Sequence, residues 1–454
     1  MTKVLTPPAR KRPSFTRPTF GRPTFSRPSL RLPEKWWRTN TARFLLVVVV
    51  VNLHLLRNVS VVGYLGVYGL VSAWAFWHFL RTDKVRNLQD RGWIAWTWMI
   101  LGVVAAITTA ILGSLDGAAY GLLRFLFVMP VLFAAVAFTD SYDQFRRNVT
   151  SCVAVFTVAS LTLPLQFITG PISFFAPALV RGVDVRYSSL VGSVTSQGIA
   201  VGLFILMAPA AKKWWPWLLV AGMGIPAMLS LSKAAVANLA LGGLGLLIAH
   251  RHNRKFLIPL IAIPAVGTLA LVTIPALRER FLGTVSAFTE TTPSASNNYD
   301  PALPSILDRL TSLPAANWSA LTGLDQPLLQ ATGGGYGMGN TALVEPTDVL
   351  APMAHNQVVE SMSVHGILGG TLLWALLIVA ACSLVLKARR THRPFDTCLA
   401  LAMGMVLLNS VTANGTLYQP ATGTAVMMLL YYAVAKFPDR PEPADPAPLE
   451  KDMT

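Results

Sequence analysis

The sequence predicts an all-α polytopic membrane protein with about 12 transmembrane helices and one large extracytoplasmic loop between helices 9 and 10. Of the 454 residues, 53% are hydrophobic and only 13% are charged, whereas soluble domains are about a quarter charged. The apolar residues also occur in blocks close to the length that spans a bilayer, about 20 residues. This composition excludes a disordered chain and argues against a water-soluble enzyme.

Twelve apolar blocks define the predicted helices, and the first and last are short for a full span. They cover residues 42–56, 60–80, 92–112, 118–138, 148–168, 189–211, 214–230, 233–249, 256–274, 356–386, 396–411 and 421–436. The chain then divides into a tail (1–43), helices 1–9 (44–274), the loop (275–355), helices 10–12 (356–436) and a second tail (437–454). The first tail repeats Arg-Pro every five residues, and proline disfavours helix there.

The distribution of Lys and Arg predicts which side of the membrane each connection faces. One alternate set of connections carries 15 basic residues and the other only 7, although the second set contains the longest loop. The first tail adds 11 more to the basic set. Because basic connections stay in the cytoplasm, both termini are predicted to be cytoplasmic and the loop 275–355 to lie outside.

The sequence lacks the features that several classes of function require. The net charge of +16 is spread over membrane-proximal connections rather than gathered into a groove, which argues against nucleic acid as a partner. The glycine-rich run from Gly333 to Gly339 is not a Walker A loop, and neither a His-Glu-x-x-His motif nor a Cys pair offers metal ligands. We therefore expect no cofactor and no metal.

Basic residues on the predicted outer side are scarce, so each one is informative. They include Arg181 and Arg186 before helix 6, Lys233 at the start of helix 8, and Arg309 in the long loop. If they converge, they form a cationic pocket suited to the phosphate of a lipid headgroup, because such contacts strengthen where water is excluded. The alternative is that each is a separate snorkelling side chain or a local ion pair.

The end of the long loop carries the sharpest local pattern, beginning with His355. A histidine at this boundary can accept a proton at neutral pH, although a structural hydrogen-bonding role is the alternative. Asn356 and Glu360 are four residues apart and share a helix face. Gly366 and Gly369, with a further glycine behind them, would let another helix approach closely.

His355-Asn356, followed after nine residues by Gly366-x-x-Gly369, resembles the signature of the O-antigen ligase and O-antigen polymerase superfamily of bacterial membrane glycosyltransferases. Three further segments are similar to that family. They are Asp308-Arg309-Leu310 with Trp318, the run containing Gly335 and Gly337, and Ser232-Lys233-Ala234, where the family usually has arginine.

This resemblance implies transfer or polymerisation of a surface glycan from an undecaprenyl-diphosphate-linked donor to an acceptor hydroxyl, without a metal. By the same resemblance His355 is the general base, Arg309 and Lys233 bind the diphosphate, and Arg186 or Arg181 supplies a further cation. Asn356, Glu360 and the glycines support them. A single direct displacement would invert the configuration at the anomeric carbon. The partners would be the lipid-linked donor, a glycan or other hydroxyl acceptor, membrane lipid and polysaccharide-assembly proteins, at the bacterial cytoplasmic membrane.

Two other functions stay open from the residues. The first is a flippase for lipid-linked oligosaccharide, which would use ionisable residues deep in its helices; Arg124 is the best candidate for such a charge. The second is a non-catalytic scaffold of a polysaccharide-assembly complex that acts through the Arg-Pro tail. The sugar, the linkage, the acceptor, and the choice between polymerase and ligase are not encoded in any recognisable motif.

Overall fold

The computed structural model is helical, with one short β-hairpin, over the residues that it describes. Those residues are 39–82, 92–112, 115–172, 179–181, 184–211, 215–230, 232–251, 272–273, 275, 278, 311–323, 327–338, 354, 356–413 and 416–437. Most of the Arg-Pro tail (1–38) and the end of the chain (438–454) therefore lie outside the described residues.

Fourteen α-helices and two strands are described, numbered in chain order. The helices are α1 Asn40–Asn52, α2 Val61–Arg81, α3 Gly92–Ile111, α4 Leu115–Leu126, α5 Met129–Phe138, α6 Tyr142–Thr169, α7 Val194–Met207, α8 Trp215–Leu229, α9 Lys233–His250, α10 Ser312–Thr322, α11 Pro327–Thr332, α12 Gln357–Thr391, α13 Pro394–Thr412 and α14 Pro420–Val434. The antiparallel strands are β1 Leu179–Arg181 and β2 Asp184–Arg186. Short 3-10 helices cover His54–Asn58, Ala208–Ala210 and Tyr336–Met338.

Eleven of the twelve apolar blocks in the sequence correspond to helices, and the ninth (256–274) lies almost entirely outside the described residues. Five helical segments within the described residues are long and apolar enough to cross a membrane. They are Trp93–Ile111, Leu115–Phe138, Tyr142–Gln166, Gln357–Thr391 and Pro394–Thr412. The chain therefore has the character of a helical membrane protein.

Polar residues begin many of the helices. Thr39, Ser60, Ser141, Ser193 and Ser232 each accept a hydrogen bond from a backbone N–H in the first turn of α1, α2, α6, α7 and α9. A side-chain oxygen satisfies one of the amides that has no partner within the helix. Short polar sequences between apolar blocks thus fix where these helices start.

The block predicted as one helix over 118–138 is two helices. α4 ends at Leu126 and α5 begins at Met129, with Pro130 in its first turn. Proline has no N–H to donate to the preceding turn, so the helix is interrupted there. One carbonyl at the interruption has a side-chain partner: the Tyr68 hydroxyl donates to Phe127 O at 3.0 Å.

The segment predicted as a loop, 275–355, contains helical structure where it is described. α10, α11 and the 3-10 helix Tyr336–Met338 all pack against α12. Asn317 of α10 donates to Met338 O at 2.7 Å, and its Oδ1 accepts from the Ser363 hydroxyl. Part of this segment is therefore built into the helix bundle.

One end of the bundle is closed by a buried carboxylate, Asp396 at the start of α13. It accepts hydrogen bonds from the hydroxyls of Tyr142 (3.2 Å), Tyr432 (2.8 Å) and Thr391 (2.6 Å). These donors belong to α6, α14 and the end of α12, so four helix ends meet there. We refer to it as the Asp396 end. Lys387 lies nearby and donates to the carbonyl oxygens of Tyr432 and Ala435.

α12 is sharply kinked at Gly366, which has φ 74° and ψ 172° inside the helix. The residues on either side are helical, so α12 consists of a short first part, 357–365, and a long second part, 367–391. The two parts fold against each other: a Cβ built at Gly370 would lie 2.6 Å from Met362 Cα. Gly366 therefore permits the kink, and Gly370 lets the second part of α12 pack closely against the first part. The sequence analysis predicted that such glycines let another helix approach, and here the close approach is also made by the same helix.

Replacing Gly366 with alanine is expected to destabilise the protein by at least about 2 kcal/mol. An L-residue at this positive φ is strained, and its Cβ would collide with Ala331 O and Gly333 N. Gly404→Ala is the matched control because a Cβ there meets nothing within 4 Å; in a helix this change is neutral or slightly stabilising. Thermal unfolding of both variants in detergent measures the difference, and equal melting temperatures would contradict the strain at Gly366.

Candidate functional site

Whether the predicted base and cations come together lies outside the described part of the structure, because none of their side chains is described. His355 and Arg309 lie outside the described residues. Lys233 is the first residue of α9, but only its backbone is described. Arg181 and Arg186 end β1 and β2, and their backbones pair with Asp184 and Leu179 respectively. Their grouping around a diphosphate therefore stays a prediction.

The glycine-rich run inserts a tyrosine into the helix bundle. The sequence analysis predicted this run as supporting structure. Gly333 and Gly335 have φ of 89° and 71°, and the turn they make inserts Tyr336 between α3 and α4. Its backbone N–H donates to Thr109 Oγ1 at 2.8 Å, and its hydroxyl donates to Gly102 O at 3.0 Å. Gly337 lies in the same 3-10 turn. Burial raises the pKa of the Tyr336 hydroxyl above its ordinary value, so it acts as a hydrogen-bond donor.

The same run fixes the kink of α12. Gly334 N donates to Ser363 O at 3.0 Å, and the backbones of Gly333 and Gly366 are so close that a Cβ on either one would collide with the other. Gly369 is also confined, since a Cβ there would lie 2.9 Å from His365 Cβ. Two segments that the sequence analysis linked only by resemblance thus form one packed unit.

Asn356 begins α12 as its N-cap. Its Oδ1 accepts from the backbone N–H groups of Val358 (3.0 Å) and Val359 (3.2 Å). The side chain is therefore committed to holding the helix start, directly after position 355 in the chain. Ala354 and Asn356, the two neighbours of His355, are both buried.

Glu360 lies one turn further along α12 and is completely buried, with 0% of its surface exposed. Neither carboxylate oxygen has a hydrogen-bond partner among the described residues. Burying a charge without a partner is costly, and the N-terminal turn of a helix offsets only part of that cost. A buried acid of this kind is a common feature of functional sites.

Arg124 is the charged group that interacts with Glu360 across the junction. It lies in the last turn of α4, immediately before the interruption between α4 and α5. It also interacts electrostatically with Arg57 and Tyr120. The two helix irregularities, at Gly366 and before Pro130, are thus adjacent: the rings of Phe125 and His365 are 4.9 Å apart.

His54 lies in the 3-10 helix between α1 and α2, on the same side of the bundle. Burial, together with the nearby charges of Arg57 and Arg124, lowers its pKa to about 4. The imidazole is therefore neutral at physiological pH and adds no charge to the two arginines. It also approaches the start of α7, because a Cβ at Gly192 would lie 3.8 Å from His54 Cε1.

Tyr418, in the connection between α13 and α14, completes the group. Burial raises its pKa well above the ordinary value, and the charge of Glu360 adds to the rise. Its hydroxyl lies beside the side chains of Ser361 and Gln357. We call the set His54, Arg57, Arg124, Glu360 and Tyr418 the polar junction.

The polar junction carries two arginines and one carboxylate, so its cations outnumber its acids. Helices α7, α12 and α14 begin near it, and α14 begins at Pro420 without a side-chain cap. Free amide groups at helix starts attract anions. The arrangement is suited to a phosphate-bearing group.

Among the described residues, no group of three or more His, Cys, Asp or Glu side chains could hold a metal ion.

The sequence analysis found parts of this junction but did not assemble it. Glu360 was predicted as a supporting residue, and Arg124 was singled out only for the flippase alternative. Arg57 was not singled out. The signal that links them is the helix interruption at Pro130, which places Arg124 at the end of a helix instead of in the middle of one.

No protein-family model matches the chain, and no curated protein matches it either. The function is therefore inferred from the residues and their geometry.

Asn356→Ala is expected to lower stability by about 1 kcal/mol, because two backbone amides lose their acceptor. Asn356→Asp keeps the cap and should retain both stability and activity. Melting temperatures in detergent, measured alongside activity, separate the two outcomes. Loss of activity in Asn356→Asp at unchanged stability would show that the amide group has a chemical role beyond capping.

Proposed function

We propose that this protein is a membrane glycosyltransferase that takes a glycan from a polyprenyl-diphosphate carrier at the outer face of the cytoplasmic membrane. The observation that carries the proposal is the polar junction, where Arg124 interacts with the buried acid Glu360 near two adjacent helix irregularities and Arg57 interacts with Arg124. Glu360 also lies in the first turn of the helix that Asn356 caps, close in sequence to the His355-Asn356 motif, which supports the same proposal. The resemblance of that motif to the O-antigen ligase and polymerase superfamily supplies the reaction.

The proposed topology has 12 spans, with the polar junction outside and the Asp396 end in the cytoplasm. Described basic side chains support this orientation, since they are abundant near the Asp396 end and scarce near the junction. Those near the Asp396 end include Arg43, Arg81, Arg146, Arg147, Arg251, Lys387, Arg389, Arg390, Arg393 and Lys436. Basic residues are retained on the cytoplasmic side during insertion.

In the proposed reaction, an acceptor hydroxyl attacks the anomeric carbon of the donor sugar. The bond from that carbon to the acceptor oxygen forms while its bond to the diphosphate oxygen breaks, and the configuration inverts. The hydroxyl proton passes to the imidazole of His355, the general base. The bonding electrons leave with the diphosphate, whose growing charge fixed cations stabilise.

Arg57 and Arg124 are proposed to supply this stabilisation from the junction. Arg309, Lys233, and Arg186 or Arg181 are proposed as further phosphate contacts on the strength of the resemblance. Lys233 keeps the positive charge that the family places there but lacks the bidentate geometry of arginine. The partners of the reaction are the lipid-linked donor and a glycan or other acceptor with a free hydroxyl.

A flippase is the second candidate, and one observation favours it. Arg124 and Glu360 are charged side chains at interruptions of apolar helices, which is also how transporters build substrate sites. The two functions differ in where lipid-linked units accumulate when the protein fails. A transferase defect leaves single units on the outer leaflet, whereas a flippase defect retains them inside.

His355→Ala and Arg124→Gln are expected to reduce polymeric or transferred glycan by at least about 100-fold, the usual effect of removing a general base or a charge-stabilising group. Single lipid-linked units should then accumulate outside. Arg389→Gln, at the opposite end of the bundle, is the matched control and should behave as wild type. Lipid-linked intermediates are measured by mass spectrometry in intact cells at equal protein levels. Normal glycan in both variants would contradict the proposed function.

The topology predicts opposite labelling of the two ends. In a Cys382→Ala background, a cysteine at Asp116 should react with a membrane-impermeant maleimide in intact cells. A cysteine at Arg390 should react only after permeabilisation. Both native residues are exposed at the protein surface, so access differs by side of the membrane and not by burial. The reverse pattern would invert the proposed orientation.

A further inference from the structure

An apolar cavity lies at the side of the helix bundle, between α3, the end of α11 and the second part of α12. Its volume is about 230 Å³, and Leu101, Val104, Leu368 and Leu372 form much of its wall. Leu368 and Leu372 are 69% and 50% exposed, so the cavity opens onto the outer surface of the bundle, which a membrane protein presents to lipid. A water molecule occupies about 30 Å³ in the liquid, so the cavity has room for several groups of that size.

A buried imidazole, that of His365, also lines this cavity. The residue is only 2% exposed, and neither ring nitrogen makes a hydrogen bond with the described residues. The backbone of Leu101 lies near the ring without meeting the geometry of a hydrogen bond. A polar group buried in this way is costly unless a partner is supplied.

The residues around His365 do not supply the missing partner. The ring centroids of Phe125 and Tyr336 lie 4.9 Å and 6.5 Å from that of the imidazole. Phenylalanine has no hydrogen-bonding group, and the Tyr336 hydroxyl donates to Gly102 O. Thr332, the other polar side chain in the cavity wall, donates to the backbone one turn before it at 2.8 Å. His365 is therefore the polar group that a molecule entering the cavity would meet.

Water is a poor occupant for such a cavity. A buried water molecule typically makes about three hydrogen bonds, and largely apolar cavities stay dry. An occupant that suits both features of the wall has an apolar body and one hydrogen-bond acceptor. A pure hydrocarbon, such as the isoprenoid chain of a polyprenyl carrier, would fill the space but leave the imidazole of His365 unpaired.

The position of the cavity along α12 indicates which part of a lipid would reach it. Lys387 lies at the Asp396 end of this helix, and Leu368 precedes it by 19 positions. At about 1.5 Å per residue this stretch is about 28 Å long, close to the thickness of bilayer hydrocarbon, about 30 Å. With Lys387 at one boundary of the hydrocarbon, the cavity lies at the other. Acyl esters of glycerolipids, which join the chains to the head group, lie at that depth.

We propose that this cavity is a binding site for a glycerolipid of the bilayer, whose acyl ester carbonyl accepts a hydrogen bond from His365. A neutral imidazole carries one N–H donor, and a carbonyl oxygen is its natural acceptor. One acyl chain lies along the apolar wall, while the head group stays at the membrane surface. The lipid contacts α3, α11 and α12 together and so stabilises the folded protein beside the kink at Gly366. This inference is independent of the proposed function.

The test compares two lipids that differ only in the ester carbonyls. Full-length protein, stripped of lipid in detergent, is titrated with dioleoylphosphatidylglycerol and with its dialkyl ether analogue, and native mass spectrometry measures the bound lipid. The wild type should bind the first ester lipid roughly 3- to 10-fold more tightly than the first ether lipid, the usual effect of one hydrogen bond. His365→Phe and His365→Leu remove the donor and should bind both lipids equally. Using two variants guards against failure of one to fold.

Leu372→Trp tests the cavity itself, because the larger side chain would fill it. The tightest lipid-binding event should be lost for the ester and the ether lipid alike. Leu408→Trp is the matched control: it lies on α13, outside the cavity wall, and Leu408 is 52% exposed, close to the 50% of Leu372. This variant should bind lipid as the wild type does.

Four outcomes would overturn the lipid site. Equal affinity of the wild type for the ester and ether lipids is the first, and an ester preference that persists in the folded His365 variants is the second. The third is lipid binding in Leu372→Trp that equals that of Leu408→Trp. The fourth concerns the carrier: if undecaprenyl phosphate displaces the ester lipid at a lower concentration than the ester lipid itself needs, and does so equally well in His365→Phe, the cavity holds an isoprenoid chain instead.

Discussion

The close contact between the backbones of Gly333 and Gly366 is the constraint on which the polar junction depends. Side chains at either position would separate the two segments. Their contact holds the kink of α12, and the kink keeps the residues 357–365 apart from the long second part of that helix. Glu360 lies on this short part. Its burial beside Arg124 is therefore a consequence of two glycines far apart in the sequence.

The contact also links elements that would otherwise be independent. The glycine-rich run inserts Tyr336 between α3 and α4, whose C-terminal turn carries Arg124. The kinked helix carries Glu360 and begins directly after its N-cap, Asn356. One packed unit thus sets the position of both charged partners and of Asn356. Such support by surrounding packing is what a preorganised site requires.

Much of the helical layout could be predicted from the sequence, because apolar blocks separated by polar caps are local features. Pro130 marks an interruption that the block 118–138 conceals, yet Pro164 and Pro226 lie inside continuous helices. Proline alone therefore does not predict where a helix is interrupted. Gly366 and Gly404 are likewise similar in sequence context, although only the first has a positive φ.

The candidate site was predictable only in part for the same reason. Resemblance identified the segment around His355 and the glycine-rich run. The meeting of Arg57, Arg124 and Glu360 depends on the ends of three separate helical segments, which no local pattern encodes. The cations taken from the resemblance remain predictions, because their side chains lie outside the described part of the structure.

The buried carboxylates at the two ends of the bundle differ in how well they are satisfied. At Asp396, three hydroxyls converge on one carboxylate and tie four helix ends together. At the other end, Glu360, Thr416 and Gln419 retain buried oxygens without hydrogen-bond partners among the described residues. Side-chain hydrogen bonds therefore hold the helices together more firmly at the Asp396 end than at the polar junction. Thermal fluctuations should open the polar junction first, and amide hydrogen exchange should be faster there than around Asp396.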